Sequence, residues 1–353
     1  MEWLVSPGGS GPYLVFAIAA IGVGWAGSAL AARADSLAER TGIGRFLAGA
    51  LLLGVTTSLP ELATTVSAAS RGAGALAGNN LLGAISLQIA LLALVDMLAL
   101  QRRALTSFSP HAGLLLHAVF LILLLALATL ALVAPDVAIG GRVSPWSIGL
   151  AGVYASTLYY LHRYEGNPRW EPRGEVKQPP QSAKDMKDAI AAEHARTSLP
   201  RLWAQFGAFA LVVLVAGHGV AVSAESIAER TGLGETLVGA TLVAFTTSLP
   251  EISTTFSAVR MGAYSMAVSN VLGTNALLVA LFLPVDLAYS DGTIFAALEP
   301  SSTLLGLLGI TLAAIYLWGV LERRDRTLMS LGVDSFFVLM TYVAGLTLLG
   351  TME

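Results

Sequence analysis

The chain carries Thr56-Thr57-Ser58-Leu59-Pro60-Glu61 and, a second time, Thr246-Thr247-Ser248-Leu249-Pro250-Glu251, each inside a long apolar stretch. Each copy sets one carboxylate beside hydroxyls and a helix-breaking proline. An ionisable side chain at membrane depth is costly and marks a functional site by default. Two of them at matching places in two halves point to a transport site. The surrounding residues extend the match at a constant offset of 190: Asp35-Ser36-Leu37-Ala38-Glu39-Arg40-Thr41-Gly42 aligns with Glu225-Ser226-Ile227-Ala228-Glu229-Arg230-Thr231-Gly232. Asn80 aligns with Asn270, Gly83 with Gly273 and Asp96 with Asp286, without a gap.

Composition agrees with a membrane setting. Of 353 residues, 55% are hydrophobic and 12% charged, against roughly 25% charged in soluble domains. Apolar runs predict ten spans, near 13–33, 43–70, 73–98, 112–134, 146–164, 202–224, 233–259, 263–288, 301–321 and 331–351. The expectation is an all-α polytopic membrane protein of ten transmembrane helices. Residues 1–165 form the first five-span repeat, 166–200 a polar linker with a short helix in 183–195, and 201–353 the second repeat. Five is odd, so the second repeat enters the membrane from the opposite side; such inverted repeats place the site near the midplane between them. Met1-Glu2-Trp3 lacks the basic start of a cleaved signal peptide, so the first apolar run reads as a span. With the N-terminus outside, only Arg71, Arg142 and Arg230 of the 20 basic residues remain external. Basic residues gather on the cytoplasmic side, which predicts two external termini and a cytoplasmic linker. The chain has no Cys, which excludes disulfides, thiolate metal sites and Cys nucleophiles.

Pro60 and Pro250 lack an N–H and crowd the preceding turn, so the spans near 43–70 and 233–259 should kink or split there. Carbonyls freed in this way become ligands where they line a hydrated cavity. Thr57, Ser58 and Glu61 share a helix face, with the Gly54 carbonyl one turn earlier. The second half offers Ala244, Thr247, Ser248 and Glu251. Such an all-oxygen set suits hard cations: Na⁺, Ca²⁺ or Mg²⁺. The next span adds a stripe of Asn80, Ala84 and Gln88, and its counterpart Asn270, Thr274 and Leu278. Their amides and hydroxyl either face an ion or bridge helices. His117 and His218 read as hydrogen-bonded helix contacts, Asp334 as interfacial, and Asp96 and Asp286 as solvated caps or entrance charges. Glu39, Arg40, Glu229 and Arg230 read as loop ion pairs.

In these residues the chain resembles the cation/calcium exchanger superfamily, near its prokaryotic sodium/calcium exchangers, over nearly its whole length. The resemblance implies electrogenic antiport by alternating access in the prokaryotic inner membrane, with inward Na⁺ driving Ca²⁺ outward. It implies Glu61 and Glu251 as central ligands, completed by Thr57, Thr247, Ser58, Ser248 and the carbonyls of Gly54 and Ala244. The family follows each signature with a G-N-x-x-G-S-N-x-x-N type run, ending in Asn or Asp. Here Ala84 stands for the Ser, Ile85 for the next Asn and Gln88 for the last position, and the second run ends in Leu278.

Two carboxylates neutralise one divalent cation, two monovalent cations or two protons, and a buried carboxylate without a cation beside it takes up a proton. A proton-coupled Ca²⁺, Mg²⁺ or Mn²⁺ exchanger is therefore an alternative, and a cation-binding channel or sensor another. No pairing of nucleophile and base suggests an intramembrane enzyme. The expected partners are inorganic cations and the lipid bilayer, with no cofactor and no nucleic acid, in a monomer.

Overall fold

The computed structural model describes residues 10–41, 54–96, 105–108, 112–140, 142–165, 197–260, 264–322, 327–328 and 331–352. The start of the second expected span, the expected linker up to residue 196 with its short helix, and Arg45, Arg102, Arg103, Arg323, Arg324 and Arg326 lie outside these residues.

The regular structure of the described residues is helical apart from a two-residue ladder pairing Thr327–Leu328 with Leu331–Gly332 and an isolated bridge between Ile139 and Val143. In order come α1 (Gly11–Thr41), α2 (Gly54–Thr57), α3 (Leu59–Ser70), α4 (Gly74–Val95), α5 (Ala112–Val133), α6 (Pro145–Glu165) and α7 (Leu199–Thr231). The second part continues with α8 (Glu235–Val238), a π-helical segment (Gly239–Val243), α9 (Ala244–Thr247), α10 (Leu249–Arg260), α11 (Tyr264–Ala280), α12 (Phe282–Ala288), α13 (Pro300–Glu322) and α14 (Val333–Met352). Among the described residues, seven helical stretches are long and apolar enough to cross a bilayer. The expected spans near 43–70 and 233–259 are broken, and that near 146–164 forms α6, which mixes apolar residues with Ser147, Tyr154, Ser156, Thr157, Tyr159, Tyr160 and Arg163.

Buried on almost every side, α4 is the centre of the molecule, packed by α3, the π segment, α11, α13 and α14. At Gly83 its backbone meets the π segment, where a Cβ would lie 2.3 Å from Ala240 Cα, so only glycine allows this approach. On the periphery α1 and α7 pack on each other, with Gly22 against Ala216 and Gly219 against Ala19. Rising numbers in one meet falling numbers in the other, so the pair is antiparallel. Their outer faces expose Ile18, Ile21, Trp25, Leu211 and Val215, as contact with lipid tails requires. Both helices outrun the apolar stretches that predict them. Arg40 and Arg230, expected in loops, lie in their last turns, and Arg40 donates to the Thr197 carbonyl.

Asp96 and Asp286 correct the sequence reading. Neither is solvated; both are buried. Asp96 Oδ1 accepts the Leu105 N–H at 2.7 Å, and its Oδ2 accepts the Gly332 N–H at 3.1 Å and the Ser335 hydroxyl at 2.7 Å. Asp286 Oδ1 accepts the Ile294 N–H at 2.7 Å, and its Oδ2 accepts the Ser144 N–H at 2.7 Å and the Ser147 hydroxyl at 2.6 Å. Each aspartate thus caps the first turn of a distant helix, α14 or α6, where the helix dipole favours an anion. The two caps sit at opposite ends of α4, since its start packs on Tyr289, just past Asp286, and Asp96 follows its end. Asp334, expected at an interface, is buried beneath Gly319 of α13.

Candidate functional site

Pro60 and Pro250 break their helices as the sequence predicts, at the residue two positions before each. Ser58 (φ −84°, ψ 3°) separates α2 from α3, and Ser248 (φ −81°, ψ 4°) separates α9 from α10. The same bridge-region geometry recurs at matching positions. Glu61 and Glu251 fall in the first turns of α3 and α10, beside helix N-termini that favour negative charge. Both are fully buried, and the Glu61 carboxyl group lies close enough to Glu251 to feel its charge.

A chain of hydrogen bonds ties three helical elements together here. The Gln88 amide on α4 donates to Ser248 Oγ at 3.2 Å, and Ser248 Oγ donates to Glu61 Oε1 at 3.3 Å. Thr247 Oγ1 lies 3.5 Å from Asn80 Oδ1, and Thr57 approaches Glu251. The hydroxyls of each motif copy therefore face the carboxylate of the other. Asn275 adds a crossing of its own, donating from its amide to the carbonyl of Ile85, its partner at the 190 offset, at 3.4 Å.

The other expected residues divide. Ser58 and Thr274 are buried, with hydroxyls that make no hydrogen bond. Asn270 is only partly buried, and no hydrogen bond joins it to this cluster. Gly54 opens α2 one turn before Ser58. The Ala244 carbonyl is not bare, as the sequence suggests, because it accepts the Ser248 N–H at 3.0 Å and the Thr247 hydroxyl at 3.3 Å. A proline deprives the carbonyl four residues earlier of its N–H, which here means Thr56 and Thr246. Counting back four from each proline finds them; counting a full turn from Ser58 or Ser248 does not. His218 accepts or donates one hydrogen bond at Nδ1, with Ser67 Oγ at 2.6 Å, as expected of a helix contact. Upstream of Ala244, the π segment widens the helix; such bulges occur often at functional sites. Nothing in the composition of Gly239–Val243 announces it.

Glu61 Oε2, both carboxylate oxygens of Glu251 and Gln88 Oε1 are buried with no hydrogen bond of good geometry, Thr57 being the hydroxyl that approaches Glu251. Gln88 Oε1 can only accept, and so can the glutamate oxygens while their groups are ionised. Burying so many acceptors without donors is rare and calls for a positive partner, a cation or a proton held by the carboxyl groups.

Comparison with known proteins gives the setting. The family model described as sodium/calcium exchanger protein matches residues 11–162 and 201–351. Inner membrane protein YrbG of Escherichia coli is 27% identical over 269 residues, 74% of this chain and 74% of that protein. Sodium/calcium exchanger MaX1 of Methanosarcina acetivorans is 30% identical over 121 residues, 33% of this chain and 34% of that one. The fold resembles the H⁺/Ca²⁺ exchanger CAX, with a TM-score of 0.66 at 15% identity, covering 97% of this chain and 85% of that one. It also resembles the sodium-calcium exchanger NCX_Mj, with a TM-score of 0.54 at 19% identity, covering 94% and 97%.

Proposed function

The chain belongs to the sodium/calcium exchanger family, and on that premise we propose that it exchanges a divalent cation, Ca²⁺ first, for Na⁺ through one site shared by Glu61 and Glu251. The observation that carries this reading is the pair of buried carboxylates from the two motif copies, with Ser248 of the second copy donating to Glu61 of the first, and with oxygens on both carboxyl groups that make no hydrogen bond of good geometry. Thr57, Ser58, Thr247, Gln88, Asn80 and Thr274 complete an all-oxygen set of the kind that hard cations prefer. Gly54 and Asn270 stand at its margin, and the Ala244 carbonyl joins only by giving up its present donors.

The site operates by alternating access between two inverted five-helix repeats, residues 1–165 and 201–353, in the cell membrane with both termini external. A one-turn mismatch between equivalent contacts supports this. A Cβ on Gly27 of α1 would lie 2.3 Å from Pro250. The equivalent glycine, Gly217 of α7, meets not Pro60 but Ala63 and Thr64, at 2.7 and 3.1 Å. Thr64 donates across to the Gly217 carbonyl at 3.2 Å, whereas its equivalent Thr254 donates back to Pro250 of its own helix at 3.0 Å. A shift of the α1–α7 pair by one turn, about 5.4 Å, exchanges the two arrangements and carries the opening from one side to the other.

Proton coupling is the second reading, and Leu278 favours it. This position is buried and apolar, and with Ala84 it removes two oxygen ligands from the walls. Several Na⁺ ions need those ligands; a proton needs only a carboxylate oxygen. Flux in proteoliposomes separates the readings, testing Ca²⁺, Mg²⁺ and Mn²⁺ against Na⁺, K⁺ and pH gradients. A Na⁺ gradient is expected to drive Ca²⁺ uptake. Uptake driven by a pH gradient alone transfers the reading to protons, and Ca²⁺ leakage without any counter-gradient contradicts exchange altogether.

A further inference from the structure

Resting on the exchanger reading and the one-turn shift that goes with it, we propose that Arg71 and Glu225 are positioning residues. Their ion pair latches the α1–α7 pair in the arrangement described and makes that arrangement the one that prevails at rest. The contact is forked onto one oxygen, with Arg71 Nη2 at 2.7 Å and Nε at 2.9 Å from Glu225 Oε2. Arg71 stands at the C-terminal end of α3, where the helix dipole favours a cation. A capped turn fixes the backbone there. The Ala73 N–H donates to the Ala68 carbonyl and the Gly72 N–H to the Ala69 carbonyl, both at 3.0 Å, and Gly72 takes the left-handed conformation (φ 85°) that closes such a turn.

The pair is the last of three polar contacts along one seam. Thr64 donates to the Gly217 carbonyl at 3.2 Å, Ser67 meets His218 at 2.6 Å, and Arg71 meets Glu225. Steps of three and four residues from Thr64 to Arg71, and of seven from His218 to Glu225, keep these contacts on facing stripes. A shift of one turn, about 5.4 Å, breaks them together and sets Glu225 opposite the neutral Ser67. The same shift brings α10 on α1 into the register that α3 on α7 holds now. At the 190 offset the aligned pairs are Thr254 with Gly27, Ser257 with Ser28, and Met261 with Asp35. Arg260, the basic residue beside Met261, aligns with Ser70 rather than with Arg71. The repeat thus keeps the hydroxyls of this seam in both halves and its cation in one. Hydroxyl contacts are open to either arrangement, whereas the ionic contact belongs to the present one.

The test is oxidative crosslinking of the full chain in lipid nanodiscs. Ser67→Cys with His218→Cys reports the present arrangement, and Ala63→Cys with His218→Cys the shifted one. Within each background the only further change is at the latch. Arg71→Met is expected to lower the ratio of the first crosslink to the second about two- to fivefold, as loss of an exposed ion pair does. Exchanging the charges, Arg71→Glu with Glu225→Arg, should restore the ratio, which a purely structural role at either position would not. Choline chloride should lower the ratio in the parent by screening and leave it unmoved in Arg71→Met. An unchanged ratio in Arg71→Met, or no recovery on exchange of the charges, overturns the latch; if the exchanged variant does not fold, the salt response of the parent against Arg71→Met decides. The first crosslink alone in every variant overturns the shift and the latch together. Crosslinking needs no transport, so a chain that moves no Ca²⁺ under any gradient overturns the exchanger reading while these ratios still decide the latch.

Discussion

Ser248 is the residue on which the two motif copies meet, because its hydroxyl accepts from Gln88 and donates to Glu61. Ser248→Ala removes the donor from one carboxylate oxygen and frees the Gln88 amide. A tenfold or so weaker apparent Ca²⁺ affinity is expected, the lower end for loss of a supporting partner around a metal site, read from the Ca²⁺ dependence of flux. An unchanged affinity separates Ser248 from the site. Glu61→Gln and Glu251→Gln should each cut Na⁺-driven Ca²⁺ flux by about 100-fold or more, since removing one member of a buried charged set costs 2–5 kcal/mol or so. Wild-type flux in both variants disproves the assignment. These carboxylates were legible in the sequence, because an acid held twice within apolar runs is too costly to persist without a use. The crossing of each copy's hydroxyls to the other carboxylate was not, since residues some 187 positions apart carry no local sign of contact.

At the scale of elements, the two breaks do most to shape the site. Pro60→Ala or Pro250→Ala restores an N–H to the turn and straightens α2–α3 or α9–α10. Transport should fall about 10- to 100-fold, as small misplacements of reacting groups do, while insertion and folding persist. Full activity in both variants contradicts the role of the breaks. The aspartate caps belong to the same scale. In Asp96→Asn or Asp286→Asn an amide N–H faces donors that now meet another donor. Each should destabilise the protein by about 2 kcal/mol, the worth of hydrogen bonds to a charged acceptor, seen as a lower unfolding midpoint in detergent. Equal midpoints return these residues to the solvent-exposed role that the sequence suggests. Their burial was illegible because the donors on α6 and α14 lie 139 and 239 residues away. The extra turns of α1 and α7 were hidden for another reason: a hydropathy reading stops where Asp35 or Glu225 begins, whereas the hydrogen-bonded helix continues to Thr41 and Thr231.

For the whole molecule, the absence of native cysteine makes the one-turn shift directly measurable. In the present arrangement Ser67 on α3 meets His218 on α7. After the shift His218 faces Ala63, one turn back. Ser67→Cys with His218→Cys, and Ala63→Cys with His218→Cys, should each crosslink a part of the population, in proportions that change with Na⁺ and Ca²⁺. Crosslinking of the first pair alone under all conditions contradicts the shift. The most direct test of the shared site is anomalous diffraction from crystals grown with Ca²⁺ or Mn²⁺. One peak is predicted within about 2.5 Å of oxygens from both Glu61 and Glu251; a peak that touches neither carboxylate, or only one of them with the other turned away, contradicts it.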